Sequence, residues 1–174
     1  IDSVKIAKDQ VWRFADVYRQ LGDWQKTHDL YAIAVKNARD DDRRVNDSIR
    51  LAEAKAMLGD VESGVALVRS TFTANPGDKG PILLATLYEF VPASLGKGMD
   101  VEIALLVQDT IDQHFLTVVD PKTEPGRAFL QARRHHVEQA WRTVIQLLQR
   151  NGVETLLREA LRRSDETMGR FARA

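Results

Sequence analysis

The chain has 174 residues, of which 44% are hydrophobic and 29% charged, and its formal net charge is zero. This composition is typical of a soluble globular domain and excludes a disordered or membrane-embedded chain. The sequence contains no cysteine, which excludes disulfides and thiolate metal sites.

Two amphipathic helices are predicted at the beginning of the chain, over residues 4–21 and 24–38. Apolar residues recur along both at spacings of three and four, so each helix has one apolar stripe. Gly22 separates the helices because glycine adopts the left-handed conformation found at many helix ends. The three adjacent aspartates at 40–42 predict a loop, since like charges are best solvated.

A second pair of helices is predicted over residues 45–58 and 61–73, and the turn-forming residues 75–78 end it. Both pairs contain Leu-Gly-Asp between their helices, first at Leu21 and again at Leu58, 37 positions later. A repeat of 20–50 residues is the signature of stacked helical units. Such units present a surface to other molecules.

The second half of the chain is less regular. A third pair is predicted over residues 80–118, with a long exposed loop at 92–98 inside it. A linker with two prolines and a glycine follows at 120–126. Helices are then predicted over 127–150 and 153–171, which form a divergent capping hairpin within 126–172. Its apolar face is expected to dock on the helix at 99–118, and consists of Leu156, Leu157, Leu161 and Met168.

Charge is unevenly distributed. Residues 1–126 carry 15 basic and 20 acidic side chains, whereas residues 127–174 carry 10 and 5, and all ten bases are arginine. This asymmetry predicts a basic cap on an acidic stack. Acidic residues lie between the arginines, which favours a salt-bridged surface and makes nucleic acid an unfavoured partner.

The spacings in the first two pairs resemble the tetratricopeptide repeat over residues 8–78. In the first pair, the positions that match are Val11, Phe14, Ala15, Tyr18, Thr27, Tyr31 and Ala34; in the second they are Leu51, Ala52, Gly59, Asp60, Gly64, Val68 and Pro76. Lys55 stands where the family usually has tyrosine. The resemblance implies an all-α, right-handed stack of antiparallel helix pairs, an α-solenoid of about eight helices. A single domain then spans residues 1–174, with repeat pairs at about 4–39, 44–75 and 80–118.

The same resemblance implies a concave face lined by the first helix of each pair. The repeat register places ten residues on it: Trp12, Arg13, Asp16, Arg19, Ile49, Arg50, Glu53, Met57, Glu89 and Phe90. We therefore expect a non-catalytic scaffold that binds a peptide or protein there. Trp12 is either an anchor in the groove or covered by a preceding element.

The alternative is a ligand-sensing or regulatory helical domain of a larger enzyme or transcription regulator. An enclosed apolar pocket between the repeats and the final hairpin would favour that alternative. An open groove of mixed charge would favour the interaction module.

Catalytic, cofactor and metal sites are not predicted. His135 and His136 are adjacent, so on a helix they point about 100° apart and do not converge on one ion. Gly96 and Gly98 lack the rest of a dinucleotide-binding motif. The chain begins at Ile1 without Met or a signal peptide, and we expect it to be an excised piece of a longer protein. The cytoplasm is favoured, and the periplasm stays open for a chain whose signal peptide has been removed.

Overall fold

The computed structural model describes residues 10–75, 80–115 and 122–173, and every regular element within these ranges is helical. The elements are α1 (Val11–Gln20), α2 (Trp24–Asn37), α3 (Asp41–Met57), α4 (Val61–Ala74), α5 (Gly80–Ala85), a π-helical turn (Thr86–Phe90), α6 (Val91–Ser94), α7 (Asp100–Phe115), α8 (Glu124–Arg150) and α9 (Glu154–Arg173). The predicted all-α class is confirmed. The predicted helical residues 4–9 and 116–118, residues 76–78 of the predicted turn and residues 120–121 of the predicted linker lie outside the described ranges. The linker prediction is wrong at its end, because α8 begins at Glu124, with Thr123 as its N-cap.

Consecutive helices pack on each other, and α3 lies at the centre of the first half. It contacts α2 and α4, and also the segment formed by α5, the π-helical turn and α6. From there α7 packs against α4 and α5, α8 against α7, and α9 against α8. The main core runs through these elements from Val45 to Phe171, and a smaller cluster joins α1 and α2 to Leu51.

The repeated Leu-Gly-Asp sequence forms the same turn twice. At the first copy, Gly22 N–H donates to Arg19 O and Asp23 N–H to Tyr18 O, while Gly22 has a φ of 74°. This is the Schellman arrangement, which satisfies the last carbonyls of a helix. The aspartate then caps the next helix, because its side chain accepts a hydrogen bond from Lys26 N–H.

The turn between α8 and α9 repeats this hydrogen-bond pattern without the aspartate. Gly152 N–H donates to Gln149 O, Val153 N–H donates to Leu148 O, and Gly152 has a φ of 65°. The last two helices therefore form a hairpin with the same geometry at its turn as the first two pairs.

The predicted loop at residues 40–42 is wrong for Asp41 and Asp42. Asp40 is the N-cap of α3 and accepts a hydrogen bond from Arg43 N–H at 2.7 Å, while Asp41 and Asp42 form the first helical turn. Carboxylates are favourable at this end of a helix because its unpaired N–H groups carry partial positive charge.

The predicted loop at residues 92–98 begins too early. The helix continues through the π-helical turn to Ser94, whose hydroxyl donates to Phe90 O at 2.8 Å. Pro92 lies in the first turn of α6, and Val91 and Ser94 are buried. The connection after Ser94 is exposed, as is Pro92.

The last helix packs along α8 rather than mainly on α7, where docking was predicted. Its Leu156, Leu157 and Met168 lie against the main core, whereas Leu161 remains exposed. An ion pair between Arg163 and Asp112 links α9 to α7.

Candidate functional site

Five of the ten residues predicted on the concave face meet in one group of ion pairs, which we call the charged cluster. Its members are Asp16 and Arg19 of α1, Arg50 and Glu53 of α3, and Glu89 of the π-helical turn. Residues separated by up to 73 positions therefore come together, because α1, α3 and the α5–α6 segment present their sides to one another.

Two arginines hold the charged cluster together. Arg19 Nε donates to Glu53 Oε2 at 2.6 Å, which links α1 to α3. Arg50 Nη1 lies 3.3 Å from Asp16 Oδ1, and Arg50 Nη2 lies 3.1 Å from Glu89 Oε1. Arg50 thus bridges three elements, and its planar guanidinium suits such paired contacts with carboxylates.

The cluster has three carboxylates and two guanidinium groups, so it carries a surplus of one negative charge when all are ionised. Burial raises the pKa of Glu89, and neighbouring Arg50 and Arg19 offset part of this rise. The carboxylates of Glu53 and Asp16 act in the same direction as burial, since like charges disfavour ionisation.

A buried tyrosine from α2 forms a hydrogen bond with the charged cluster. Tyr31 is fully buried, and its hydroxyl donates to Asp16 Oδ1 at 2.5 Å. Burial raises the pKa of Tyr31, and the hydrogen bond to Asp16 raises it further. The phenol therefore stays neutral and orients Asp16 toward Arg50.

Trp12 lies between α1 and α3 and is half-buried. Its ring covers the guanidinium of Arg43, whose Cζ is 3.5 Å from the ring centroid, a close cation–π contact. Arg43 Nη2 in turn lies 2.8 Å from Asp47 Oδ1, and Asp47 is almost completely buried. Burial raises the pKa of Asp47, with Arg43 opposing. A face of the Trp12 ring thus packs on Arg43 of α3, and Arg13 Cζ also lies 5.3 Å from the ring centroid, so Trp12 is only partly accessible.

The other predicted residues divide into two groups. Arg13 and Met57 are exposed beside the charged cluster. Ile49 and Phe90 are fully buried in the main core, so they are structural residues and do not line a surface.

Sequence reasoning missed the contacts of Arg43, Asp47 and Tyr31, which lie next to the charged cluster. Arg43 and Asp47 are four residues apart on α3, a spacing that signals a helical ion pair and could have been noticed. The role of the Tyr31 hydroxyl had no comparable signal, because its position matched that of an ordinary core aromatic.

No group of three potential metal ligands occurs within the described ranges. The rings of His135 and His136 lie 5.8 Å apart between centroids, at 64° to each other, and thus do not converge. None of the helices that could be assessed is long and apolar enough to cross a membrane. The charged cluster offers contacts for ionic groups.

A groove between α4 and α7 lies away from the charged cluster. It has a volume of about 190 Å³ and is lined by Arg69, Phe72, Thr73, Leu106 and Asp109. Small-molecule pockets usually have about 300–1,000 Å³ and enclose most of the ligand. This groove is smaller than that range, and its lining residues belong to α4 and α7 and not to the final hairpin.

Known proteins provide no further guide to the site. No protein-family model, no curated protein and no solved structure matches the chain.

Proposed function

We propose that this chain is a non-catalytic interaction module, built like a tetratricopeptide stack, which binds a peptide or protein segment over the charged cluster. The observation that carries the proposal is the meeting of five predicted groove residues from three elements in one half-buried group. A purely structural ion-pair group has no need of the accessible Trp12, Arg13 and Met57 beside it.

The exposure of the charged side chains supports this role. Arg50 and Asp16 retain about a quarter of their side-chain surface, at 25% and 28%. They are held in place by their partners and yet remain in reach of solvent. Pre-ordered charges of this kind lose little entropy on binding, so they are well suited to recognition.

The surplus carboxylate indicates the chemistry of the partner. A lysine or arginine side chain placed near Glu89 would compensate the unbalanced charge, and a further carboxylate would increase it. The exposed Met57 and the half-buried Trp12 add apolar contacts at the rim. We infer a partner segment that combines a basic side chain with an apolar one.

Selection from a displayed random-peptide library on the immobilised chain tests this proposal. Selected peptides should be enriched in basic residues and should bind the double variant Glu89→Gln/Met57→Ser at least about tenfold more weakly, a loss of about 1.4 kcal/mol. The matched control is Glu102→Gln/Leu161→Ser, which also removes one carboxylate and one exposed apolar side chain. Equal loss in both variants, or none in either, would contradict binding at the charged cluster.

A further inference from the structure

Glu89 is the carboxylate of the charged cluster that shares its only cationic partner. Glu53 accepts a hydrogen bond from Arg19 at 2.6 Å. Arg50 is divided between Asp16, at 3.3 Å, and Glu89, at 3.1 Å. Asp16 has a second donor, the hydroxyl of the buried tyrosine of α2. The surplus negative charge of the cluster is therefore compensated least at Glu89.

The other neighbours of the π-helical turn are neutral. Tyr88 donates through its hydroxyl to Gln139 Oε1 of α8 at 2.5 Å, and the ring of Phe90 lies against Gly64 of α4. The flanking helices α5 and α6 contain no charged residue in their sequences. The two acids and two arginines of α1 and α3 are thus the charged groups that face Glu89. Its side chain keeps 20% of its surface, so a partner can reach it.

We propose, building on the function proposed above, that the basic side chain of the partner displaces a proton from Glu89 when it binds. The proton passes to solvent, and the carboxylate then pairs with the docked cation. Proton and partner compete for the same group, so acid releases the partner from the charged cluster.

The direction of the pH dependence follows from the two states of Glu89. In the free chain, burial raises the pKa of Glu89 above 4.5, and the neighbouring arginines oppose this rise. A docked cation lowers that pKa because it favours the ionised form. Above the raised pKa, Glu89 is ionised in both states and affinity does not change with pH. As pH falls through the raised pKa, the free chain gains a proton that the complex lacks, and affinity falls.

The test uses a basic peptide selected on the immobilised chain, acetylated, amidated and free of Asp, Glu and His, so that the peptide itself does not titrate. In calorimetry, the wild type should bind it at least about threefold more weakly at pH 5.0 than at pH 7.5. At pH 5.0 the heat should also change with the ionisation enthalpy of the buffer, which reports proton release. Glu89→Gln should bind more weakly at pH 7.5, with no further loss at pH 5.0 and no buffer effect.

The matched control, Glu102→Gln on α7, removes an exposed carboxylate and should keep the pH dependence of the wild type. Circular dichroism at both pH values checks that the chain stays folded. Equal or tighter binding by the wild type at pH 5.0 would overturn the inference and leave the proposed function intact. A loss that persists in Glu89→Gln would also overturn it, because the proton would then come from another group. Binding at pH 7.5 that is insensitive to Glu89→Gln/Met57→Ser would instead contradict the proposed function, and this inference with it.

Discussion

The ring of Phe90 lies directly on the backbone of Gly64. A Cβ added to Gly64 would be 2.8 Å from Cε2 of Phe90 and 3.1 Å from the carbonyl oxygen of Ala52. Both distances are shorter than ordinary contacts, so only glycine fits at this point of α4 without a shift. The contact joins α4 to the end of the π-helical turn, and thus fixes the element that carries Glu89.

Gly64→Ala should destabilise the protein by about 1–3 kcal/mol, as overpacking generally does. The sign of this change in unfolding free energy is informative. Glycine in a helix interior is normally about 1 kcal/mol less favourable than alanine, so Gly64→Ala would stabilise the protein if there were no clash. Urea unfolding measures the difference. In a Phe90→Leu background the penalty should shrink or reverse, and a stabilising Gly64→Ala in the native background would contradict the close contact.

Ala52→Leu should also destabilise the protein, by about 1–3 kcal/mol. Ala52 is fully buried in the main core, and a larger side chain would force apart the helices around α3. Ala66→Leu, exposed on α4, is the matched control and should leave the unfolding free energy nearly unchanged. Equal melting temperatures for the two variants would show that the repeat register at Ala52 is misassigned.

Arg50→Met should reduce the unfolding free energy by about 1–3 kcal/mol, the usual effect of removing charged hydrogen-bond partners. Methionine keeps the aliphatic volume, so the loss reports on the bridge from Asp16 to Glu89. Adding Glu89→Gln should recover part of the loss, because it removes a carboxylate that Arg50→Met leaves uncompensated. If the two changes are additive in chemical denaturation, Arg50 and Glu89 are not coupled.

Truncation after Gly152 should lower stability sharply and cause association. Phe171 and Ala160 of α9 are buried in the main core, and Leu156, Leu157 and Met168 pack against it. Each such side chain contributes about 1.5–3 kcal/mol of gross burial energy. Light scattering and thermal unfolding measure both effects, with the exposed substitution Leu161→Ala as a mild control. A truncated chain that stays monomeric and melts like the parent would mean that α9 is dispensable for the core.

Local chemistry explains which parts of the fold could be predicted. Each of the turns at Gly22 and Gly59 depends on one glycine and the aspartate after it, so both turns could be predicted from the sequence. Leu95 and Gly96 follow Leu58 and Gly59 by another 37 positions. This spacing could have been used to predict where the first helix of the third pair ends. Pro92 and two nearby glycines suggested a loop instead.

Which of the predicted site residues are buried depends on tertiary packing. The hydrophobic periodicity of the sequence does not report this packing. Ile49 was predicted on a surface, but the α5–α6 segment packs on α3 and leaves it fully buried. Phe90 was predicted beside Glu89 in the groove, and the π-helical turn directs it to Gly64 instead. The repeat register could place Asp16, Arg50 and Glu89 on adjoining helices, while their ion pairs required the structure.

Glu89 should make stability depend on pH in a defined direction. Burial raises the pKa of Glu89 above its ordinary value of 4.5, so the folded protein holds this proton more tightly than the unfolded chain. Between 4.5 and the raised pKa, the folded state binds more protons, and the unfolding free energy falls as pH increases. Above that window the ionised Glu89 leaves a constant penalty of about 1.4 kcal/mol for each unit of pKa difference.

Glu89→Gln removes this titration. Its unfolding free energy relative to the wild type should therefore rise as pH increases from about 4 toward neutral. Asp47 has a raised pKa for the same reason, burial, but it is present in both proteins and cancels in the comparison. Urea unfolding at several pH values measures the difference, and Glu102→Gln on the exposed side of α7 controls for the loss of one carboxylate. If the unfolding free energy of Glu89→Gln relative to the wild type instead falls as pH increases, ion pairing with Arg50 outweighs burial, and the charged cluster stabilises Glu89 as an anion.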